Sequence, residues 1–479
     1  MNETDSTLEP VLARAIQHAL AHLNGDGDSP VAASATLAEL RQRLDISLGD
    51  AGMDAGVVLD DLVEATRGGI ARITSGRFFG WVNGGALPAA LAADWMTSAW
   101  DQNAGLYAVA PAAAVTEETA GRWLKEVLQL PASATFALVT GCQMAHVTCL
   151  AVARHALLAV RGWDVERDGL SGAPSIRILT STELHGSASR AVRFLGLGEA
   201  NIERLAAGSD GRLPEHELKA ALEREPSRPT IVVLQAGDLN IGAFDDFATL
   251  VPLAKKFGAW VHIDGAFGLW AAASPAYRHL LAGAELADSW ATDGHKWLNV
   301  PYDCGYAFVA DSAAHRATMS QRSSYLTHAA EARDPLDWTP EFSRRARGFA
   351  TYAALRQLGK TGVAELVERC CEHAYSLVTE MGKLPGAEML WQPQINQGLV
   401  RFLDPATGAS EQDHDAYTDR VMAAILATGE ALFSGTTWRG RRAMRVSVCN
   451  WQTSKADVER VVRCVDGVLQ RGREGWASL

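Results

Sequence analysis

Short apolar runs alternate with helical stretches through the middle of the chain. The runs are rich in β-branched and aromatic side chains, which is typical of buried strands. They are Phe136–Val139, Ile176–Leu179, Ile231–Leu234, Trp260–Ile263, Asp288–Thr292 and Tyr306–Val309. Between them, one helix is predicted to begin at Thr116, because Glu117 and Glu118 then lie in its first turn, where the helix dipole favours acidic side chains. The alternation predicts an α/β fold with a largely parallel sheet that binds ligands at the carboxyl ends of its strands.

The two ends of the chain have different patterns. Residues 9–72 read as helices separated by polar turns, with an apolar stripe formed by Leu37, Leu40, Leu44 and Ile46. Such an arm has too little core of its own, so we expect it to pack on the rest of the molecule or on a second subunit. The predicted units are a helical dimerisation arm over residues 1–85, a large domain over residues 86–365 and a small α+β domain over residues 366–479.

Composition and net charge indicate which binding partners and which cellular compartment to expect. The chain has 479 residues, 48% of them hydrophobic, and a net charge of −12 from 44 basic and 56 acidic side chains. This balance argues against nucleic acid or an anionic membrane as a default partner. No apolar stretch reaches the ~20 residues of a membrane span, and we expect no signal peptide behind the acidic start. The seven scattered cysteines lack metal-ligand spacing, which indicates reduced thiols in a cytoplasmic protein and no metal site.

Two ionisable residues that follow predicted strands are the first candidates for chemistry. Asp264 ends the strand that begins at Trp260, and there a carboxylate can hold a ring nitrogen protonated, bind a metal ion or cap a helix. Lys296 follows another strand and is flanked by His295 and Trp297. Desolvation lowers the pKa of a lysine, and the neutral amine is the form that condenses with an aldehyde. The alternative is a surface lysine after a strand.

Two turns at other strand ends add weaker signals. The turn at Gly141, Cys142 and Gln143 opens a helix, so its free backbone N–H groups can face a phosphate. No Gly-Lys-Ser/Thr follows, so it is not a Walker loop. In the second turn, His185 can stack on a ring or transfer a proton, and the alternative is a helix-start residue with no further role.

The order of these motifs on four strand ends resembles the group II pyridoxal-phosphate-dependent amino acid decarboxylases. That family includes the aromatic L-amino acid, glutamate and histidine decarboxylases. The resemblance extends from about Phe78 to the last helix, and its most specific element surrounds Lys296. The matching segments are His295-Lys296-Trp297, Tyr302-Asp303-Cys304, Gly237–Asp245 and Phe78-Phe79-Gly80-Trp81.

The resemblance implies a fold and a cofactor site. The fold is that of the type I pyridoxal-phosphate transferases, with a seven-stranded, mostly parallel sheet. Lys296 matches the lysine that forms a Schiff base with pyridoxal phosphate, and Asp264 matches the partner of the pyridinium nitrogen. Ala266 matches a residue against one face of the ring, and His185 matches a histidine that stacks on the other. The phosphate cradle matches Gly141, Cys142 and Gln143, with His295 assisting.

The resemblance also implies a lid, a substrate pocket and a dimer. Tyr325 matches a proton-donating tyrosine on a mobile loop, with residues 327–338 as the rest of the lid. A basic run follows it at Arg344, Arg345 and Arg347. The pocket region contains Trp81, Phe79 and Asn83. The implied assembly is a homodimer with the active site near the interface.

The implied reaction is pyridoxal-phosphate-dependent decarboxylation of an L-amino acid to an amine and CO2, with an aromatic substrate favoured. One alternative is oxidative decarboxylation and deamination to an aldehyde, for which loss of the lid tyrosine or the stacking histidine is the usual mark. Another is a non-catalytic regulatory homologue, against which the intact Lys296 argues. Cys142, Gln143 and His146 depart from the residues that are common in the family's phosphate turn, which affects the detailed phosphate contacts.

Overall fold

A computed structural model describes residues 5–25, 29–321 and 332–474 of the chain. The helices are α1 (Asp5–Leu23), α2 (Leu37–Leu44), α3 (Ala55–Ala65), α4 (Pro88–Trp100), α5 (Pro111–Val127), α6 (Cys142–Ala159), α7 (Val165–Asp168), α8 (Gly186–Phe194), α9 (Glu215–Arg224), α10 (Phe247–Lys256), α11 (Ser312–Met319), α12 (Gly348–Gly382), α13 (Glu411–Ala427) and α14 (Lys455–Glu474). The strands are β1 (Phe78–Phe79), β2 (Thr135–Val139), β3 (Arg177–Ser181), β4 (Ile202–Leu205), β5 (Thr230–Gln235), β6 (Trp260–Asp264), β7 (Ser289–Asp293), β8 (Gly305–Val309), β9 (Ala387–Trp391), β10 (Gln397–Phe402), β11 (Leu432–Trp438) and β12 (Arg441–Ser447).

The central sheet has seven strands in the order β2-β8-β7-β6-β5-β3-β4. β8 is antiparallel to both of its neighbours, and the remaining pairs are parallel. Every residue of β3, β5, β6, β7 and β8 is buried, as expected for strands that helices cover on both faces. This confirms the predicted α/β fold and its mostly parallel seven-stranded sheet.

The sheet brings the predicted chemical residues to one edge. The strands β2, β3, β6 and β7 run in the same direction, so their carboxyl ends lie together. The turn at Gly141 follows β2, and His185 follows β3. Asp264 is the last residue of β6, and Lys296 follows the end of β7. Ligands of open α/β sheets bind at this edge.

A second sheet of five strands has the order β1-β11-β12-β10-β9 and forms the core of the C-terminal region. Its outer strand β1 comes from the N-terminal part of the chain, where Phe78 pairs with Leu432 and Phe79 with Phe433 in parallel. The long helix α12 runs from the large sheet into this region and is interrupted at Gly359, which has a φ of 61°. The predicted boundary after residue 365 falls inside α12, and the three-part division stays a prediction.

Helix α5 begins at Pro111, earlier than the predicted start at Thr116. Glu117 therefore lies inside the helix, and its side chain is 1% exposed. Its carboxylate accepts a hydrogen bond from Arg344 Nη1 at 2.6 Å, and Arg344 is also buried. The acidic residue is thus the partner of a buried arginine from a distant segment, and the helix dipole does not explain it.

The N-terminal arm carries an apolar stripe that remains exposed. On α1, Leu8, Leu12, Ile16 and Leu20 are 63%, 51%, 44% and 46% exposed, and no residue of α2 is buried. The spacing of four residues places the α1 side chains on one helix face. None of the described helices is long and apolar enough to cross a bilayer.

Candidate active site

Lys296 lies in a turn after β7 that Asp293 organises. The Lys296 ammonium is 3.0 Å from Asp293 Oδ2, and the lysine side chain is 20% exposed. The other carboxylate oxygen of Asp293 accepts a hydrogen bond from the backbone N–H of Cys142 at 2.6 Å and lies 3.4 Å from His295 Nε2. One buried carboxylate therefore joins the lysine turn to the start of α6.

The direction of the pKa shift predicted for Lys296 is wrong. Burial by itself lowers the pKa of the amine, but Asp293, together with Cys142 and Asp264, outweighs burial and holds the pKa above its ordinary value. The sequence argument considered desolvation alone and gave Asp293 no role. The lysine is positioned as an ammonium ion, and it must lose a proton before it can attack a carbonyl carbon.

The lysine turn is fixed by close contacts with two other segments. Asn299 has a φ of 55°, and its side-chain amide donates to the carbonyls of Trp297 and Cys449 at 2.8 and 2.9 Å. Its carbonyl oxygen accepts from the N–H of Gly85 at 2.7 Å. A Cβ on Gly84 would lie 1.9 Å from the carbonyl oxygen of Lys296, so only glycine fits there. These contacts join the front segment and the small sheet to the lysine.

Asp264 is 7% exposed at the end of β6. Its Oδ1 accepts from the N–H of Ala266 at 3.2 Å, and its Oδ2 lies 3.4 Å from His146 Nε2. Burial by itself raises the pKa of the carboxyl, but His146, followed by His185 and Lys296, outweighs it and holds the pKa below its usual range. Asp264 is therefore an ionised carboxylate on the same sheet edge as Lys296, and Ala266 is partly buried beside it.

The turn after β2 offers fewer free N–H groups than its sequence indicates. Asp293 takes the N–H of Cys142, and the carbonyl of Gly141 accepts from the N–H groups of Met144 and Ala145 at 2.9 Å each. The side-chain nitrogen Nε2 of Gln143 is buried and has no hydrogen-bond partner among the described residues. This turn therefore retains an unused donor at its centre.

His295 and Gly141 face each other across this turn. A Cβ on Gly141 would lie 3.0 Å from His295 Cε1, so the glycine permits close approach of the ring. The imidazole Nδ1 accepts from the N–H of Cys304 at 3.1 Å, and burial lowers the pKa of His295. The neutral ring consequently carries its proton on Nε2, which points toward Asp293.

His185 is the N-cap of α8. Its Nδ1 accepts from the backbone N–H of Ser187 at 3.2 Å, so the proton of the neutral ring lies on Nε2. Burial against the site is the main cause that lowers its pKa, while Asp264 acts in the opposite direction. The residue as a whole is exposed at the open side of the sheet edge. His185 thus both begins the helix and presents a ring at the site.

The residues of the predicted substrate pocket occupy different environments. Trp81 is 58% exposed, whereas Phe79 is fully buried and stacks on Phe433 with ring centroids 5.3 Å apart. Asn83 accepts a hydrogen bond from the hydroxyl of Tyr302 at 2.6 Å. The ring of Tyr302 stacks on His295 at 4.3 Å. Asn83 is therefore connected to the lysine turn, while Phe79 is part of the core.

Several residues of the predicted lid region are not part of the described structure. Tyr325 and residues 327–331 lie outside the described residues. Of the basic run that follows, Arg344 pairs with Glu117, Arg345 with Asp94 at 2.7 Å and Arg347 with Asp303 at 2.9 Å. The basic run thus forms ion pairs that fix its own segment to the large domain.

Comparison with known proteins identifies this arrangement. Residues 38–403 match the family described as the pyridoxal-dependent decarboxylase conserved domain. The chain belongs to this family. It is a pyridoxal-phosphate-dependent amino acid decarboxylase, and therefore a carboxy-lyase. The predicted family, cofactor and enzyme class are confirmed.

Relatives of this decarboxylase differ in the substrates that they are named for. The chain is 27% identical to an acidic amino acid decarboxylase from Bos taurus over 384 residues, which cover 78% of this chain and 72% of that one. It is 25% identical to an aromatic-L-amino-acid decarboxylase from Bacillus atrophaeus over 464 residues, covering 95% and 94%. The crystal structure of the Oryza sativa TDC with PLP and tryptamine has the same fold, with a TM-score of 0.91, 23% identity and coverage of 98% and 99%.

The residues of the decarboxylase site fit pyridoxal phosphate. Lys296 and the ionised Asp264 lie at one sheet edge, and they suit the aldehyde and the ring nitrogen of the cofactor. The orphaned Gln143 amide and the glycine at position 141 suit its phosphate. Sequence reasoning gave no role to Asp293, Asn299 or Tyr302. Tyr302 stood in a quoted motif, and the proximity of Asp293 and Asn299 to Lys296 in the chain was the available signal for the other two.

Proposed function

We propose that the substrate of this decarboxylase is an aromatic L-amino acid and that the products are the corresponding amine and CO2. The observation that carries the proposal is a pair of exposed aromatic side chains, Trp81 and Tyr302, of which Tyr302 stacks on His295 in the lysine turn. Trp81 and Tyr302 are 58% and 54% exposed, and Asn83 connects their segments through its hydrogen bond with Tyr302. Aromatic rings prefer offset-stacked or edge-to-face contacts with other aromatic rings, so these two side chains suit an aromatic substrate.

Each residue of the site has a proposed task. Lys296 would hold the aldehyde carbon of the cofactor through its side-chain nitrogen. Asp264 accepts a hydrogen bond from the protonated ring nitrogen, because an ion pair with a buried carboxylate favours that proton. Ala266 and His185 enclose the ring. Pyridoxal phosphate supplies the electron sink for the electron pair that remains when CO2 departs.

Specific residues are proposed to bind the phosphate of the cofactor and to protonate the substrate carbon. Gln143, with the backbone at Gly141 and Cys142 and the ring of His295, forms the phosphate cradle. Tyr325 delivers the proton to the substrate carbon, with His185 near. A lid that carries Tyr325 would exclude water, which suppresses oxidation and transamination. The resemblance to the family supports these assignments, and Tyr325 is assigned on that ground alone.

An acidic substrate is the second candidate, and Arg445 favours it. Arg445 is 4% exposed on β12, and its Nε donates to Ser434 Oγ at 3.2 Å. Burial lowers the pKa of its guanidinium to about 10, while Asp238 acts in the opposite direction. It forms no ion pair with a carboxylate of the described chain, so its charge is available to an anionic side chain. The same Ser434 hydroxyl accepts from the backbone N–H of Trp81 at 3.2 Å, so it joins Arg445 to the segment that carries Trp81.

A substrate panel separates the candidates. Purified enzyme with PLP is offered aromatic, acidic and basic L-amino acids, and CO2 release is measured. We expect the highest kcat/KM for an aromatic substrate, and a reduced value in Trp81→Ala but not in Phe194→Ala, an exposed aromatic at the far end of α8. Preference for an acidic substrate that is lost in Arg445→Gln would refute the aromatic assignment. Aldehyde and hydrogen peroxide as the main products would refute amine formation.

The protein is further proposed to act as a homodimer in the cytoplasm. The exposed apolar face of α1, defined by Leu8, Leu12, Ile16 and Leu20, is continuous over the length of the helix. We propose that a second copy of the chain packs against this face, because a contiguous exposed apolar face is typical of an interaction site. Sedimentation of the enzyme should give the mass of a dimer, and Leu12→Lys should shift it toward the monomer. A monomeric enzyme with full activity would overturn the proposal.

A further inference from the structure

A chain of buried polar contacts extends from Asp264 through two histidines to Ser289. His146 Nε2 lies 3.4 Å from Asp264 Oδ2, and His146 Nδ1 lies 2.9 Å from His262 Nε2. His262 Nδ1 then lies 2.9 Å from the hydroxyl of Ser289. Both imidazoles are fully buried. Two adjoining buried histidines behind a carboxylate are costly to desolvate, so their arrangement requires an explanation.

The hydrogen bonds at Ser289 favour one assignment of donors and acceptors along this series of contacts. The indole N–H of Trp260 can only donate, and it donates to the Ser289 hydroxyl oxygen at 2.9 Å. The hydroxyl can then donate to Nδ1 of His262. In that case His262 carries its proton on Nε2 and donates to Nδ1 of His146. His146 in turn carries its proton on Nε2, toward Asp264.

With neutral rings, the opposite assignment, in which each histidine carries its proton on Nδ1, is unfavourable. It would place the lone pair of His146 Nε2 against the ionised carboxylate of Asp264. Burial, followed by the proximity of His146, lowers the pKa of His262 to about 3, so this ring is neutral at physiological pH. The Cys142 thiol lies 3.5 Å from His146 Nε2 and 3.9 Å from Asp264 Oδ1, so it is a further neighbour of the carboxylate. An N–H of His146 directed at Asp264 satisfies every member of the chain.

We propose that His146 is a positioning residue of the decarboxylase, and that with His262 it forms a polarised hydrogen-bond relay that holds the Asp264 carboxylate in place for the ring nitrogen of pyridoxal phosphate. The inference rests on the proposed role of Asp264. The relay joins α6 to β6 through His146 and His262. It supplies Asp264 with a donor from the interior side and leaves the carboxylate edge toward Lys296 for the cofactor.

The test replaces His146 by two side chains that differ in their ability to donate. His146→Leu removes the donor, whereas the amide nitrogen of His146→Gln can reach the position of Nε2. We expect the dissociation constant for PLP to rise at least about tenfold in His146→Leu, as for loss of a hydrogen bond to a charged group. The visible absorption band of the bound cofactor should weaken in that variant. In His146→Gln both readouts should be restored.

A second relay variant and a matched control separate positioning from stability. His262→Phe removes the partner of His146 and should weaken PLP binding less than His146→Leu does. His315→Leu removes another fully buried histidine, which bonds to Thr135 Oγ1 at 2.7 Å and to the carbonyl of Trp338 at 2.9 Å. It should lower the melting temperature without changing PLP affinity or the absorption band.

Two outcomes would overturn the relay. One is wild-type PLP affinity and absorption in His146→Leu or in His262→Phe. The other is equal loss in His146→Leu and His146→Gln, which would indicate packing alone. Asp264→Asn distinguishes a failure of the relay from a failure of the site. Unchanged PLP affinity in Asp264→Asn would refute the role of Asp264 itself, whereas a loss there with intact His146→Leu would refute only the relay.

Discussion

Replacing Asp293 by asparagine should convert the Lys296 ammonium of the PLP-free chain into a neutral amine. The carboxylate lies 3.0 Å from the lysine nitrogen and is itself 3% exposed. Asparagine has the same shape, and its carbonyl oxygen can still accept from the N–H of Cys142, now at 2.6 Å. The substitution therefore removes a charge with little change in packing, and burial becomes the dominant influence on the pKa of the lysine.

The size of the effect follows from the titration of a lysine. With an ordinary pKa of about 10.4, roughly one amine in a thousand is neutral at pH 7.5. Asp293 raises the pKa of Lys296 further, so the neutral fraction of the unchanged chain is smaller still. Each unit by which the pKa falls multiplies that fraction tenfold, and buried lysines reach shifts of about 3–5 units. Asp293→Asn can therefore increase the neutral fraction at pH 7.5 by about a thousandfold.

The assay measures the acetylation rate of Lys296 against pH. PLP is removed with hydroxylamine, and the labelled peptides are quantified by mass spectrometry, with Lys360, which is 73% exposed, as an internal standard. In the unchanged chain the rate should rise about tenfold per pH unit from pH 7.5 to pH 10, because the amine remains largely protonated there. In Asp293→Asn it should start higher and level off. Asp288→Asn, which removes the partner of Lys255 before the same strand, should not change the Lys296 profile.

Identical pH profiles for the unchanged chain and Asp293→Asn would refute the reasoning. The result would mean that Asp293 does not control the protonation of Lys296, whatever the distance between them. A lower rate in the variant at every pH would also contradict it, since that outcome would indicate a collapsed site.

Two further predictions concern the framework of the site. Glu117→Gln should destabilise the protein by about 3–5 kcal/mol in urea unfolding, because it leaves the buried guanidinium of Arg344 without its carboxylate. The double variant with Arg344→Met should recover part of the loss, and an unchanged unfolding midpoint in Glu117→Gln would contradict the argument. Gly84→Ala should weaken PLP binding more than about tenfold, since its Cβ would lie 1.9 Å from the carbonyl of Lys296 and must displace the lysine turn. Gly52→Ala, where nothing lies within 4 Å, is the control, and equal PLP affinity in both variants would refute the prediction.

The sheet and the strand-end residues could be predicted from the sequence because both are local signals. Short apolar runs between helices identify strands, and a carboxylate or lysine directly after a run must lie at the strand end. The partners of those residues are not local. Nothing near Glu117 indicates that it pairs with Arg344, 227 residues away. The pairing of Phe78 and Phe79 with β11 is equally distant, and so the small sheet could not be predicted to include the N-terminal part of the chain.

The protonation of Lys296 shows a second limit of local reasoning. Burial lowers a lysine pKa, and pairing with a carboxylate raises it. The residues around a lysine indicate its burial, but they do not indicate which carboxylate the fold brings next to it. Asp293 is three residues before Lys296, which on a helix would place the two together, but the chain here is a turn after a strand. Only the fold brings the carboxylate back onto the amine. The chemistry of the site could therefore be located from the sequence, while its charge state could not.

Cys142 contacts two carboxylates at the ends of adjacent parallel strands, Asp264 on β6 and Asp293 on β7. Its backbone N–H donates to Asp293 at 2.6 Å, and its thiol lies 3.9 Å from Asp264. Burial, followed by the charges of Asp264 and Asp293, raises the pKa of this thiol well above its usual value, so it remains a neutral group that can donate to a carboxylate. A serine hydroxyl could donate in the same way, but the larger sulfur also fills the space between the two acids. The departure at position 142 is thus consistent with a site in which Asp293 pairs with the lysine while Asp264 is reserved for the ring nitrogen.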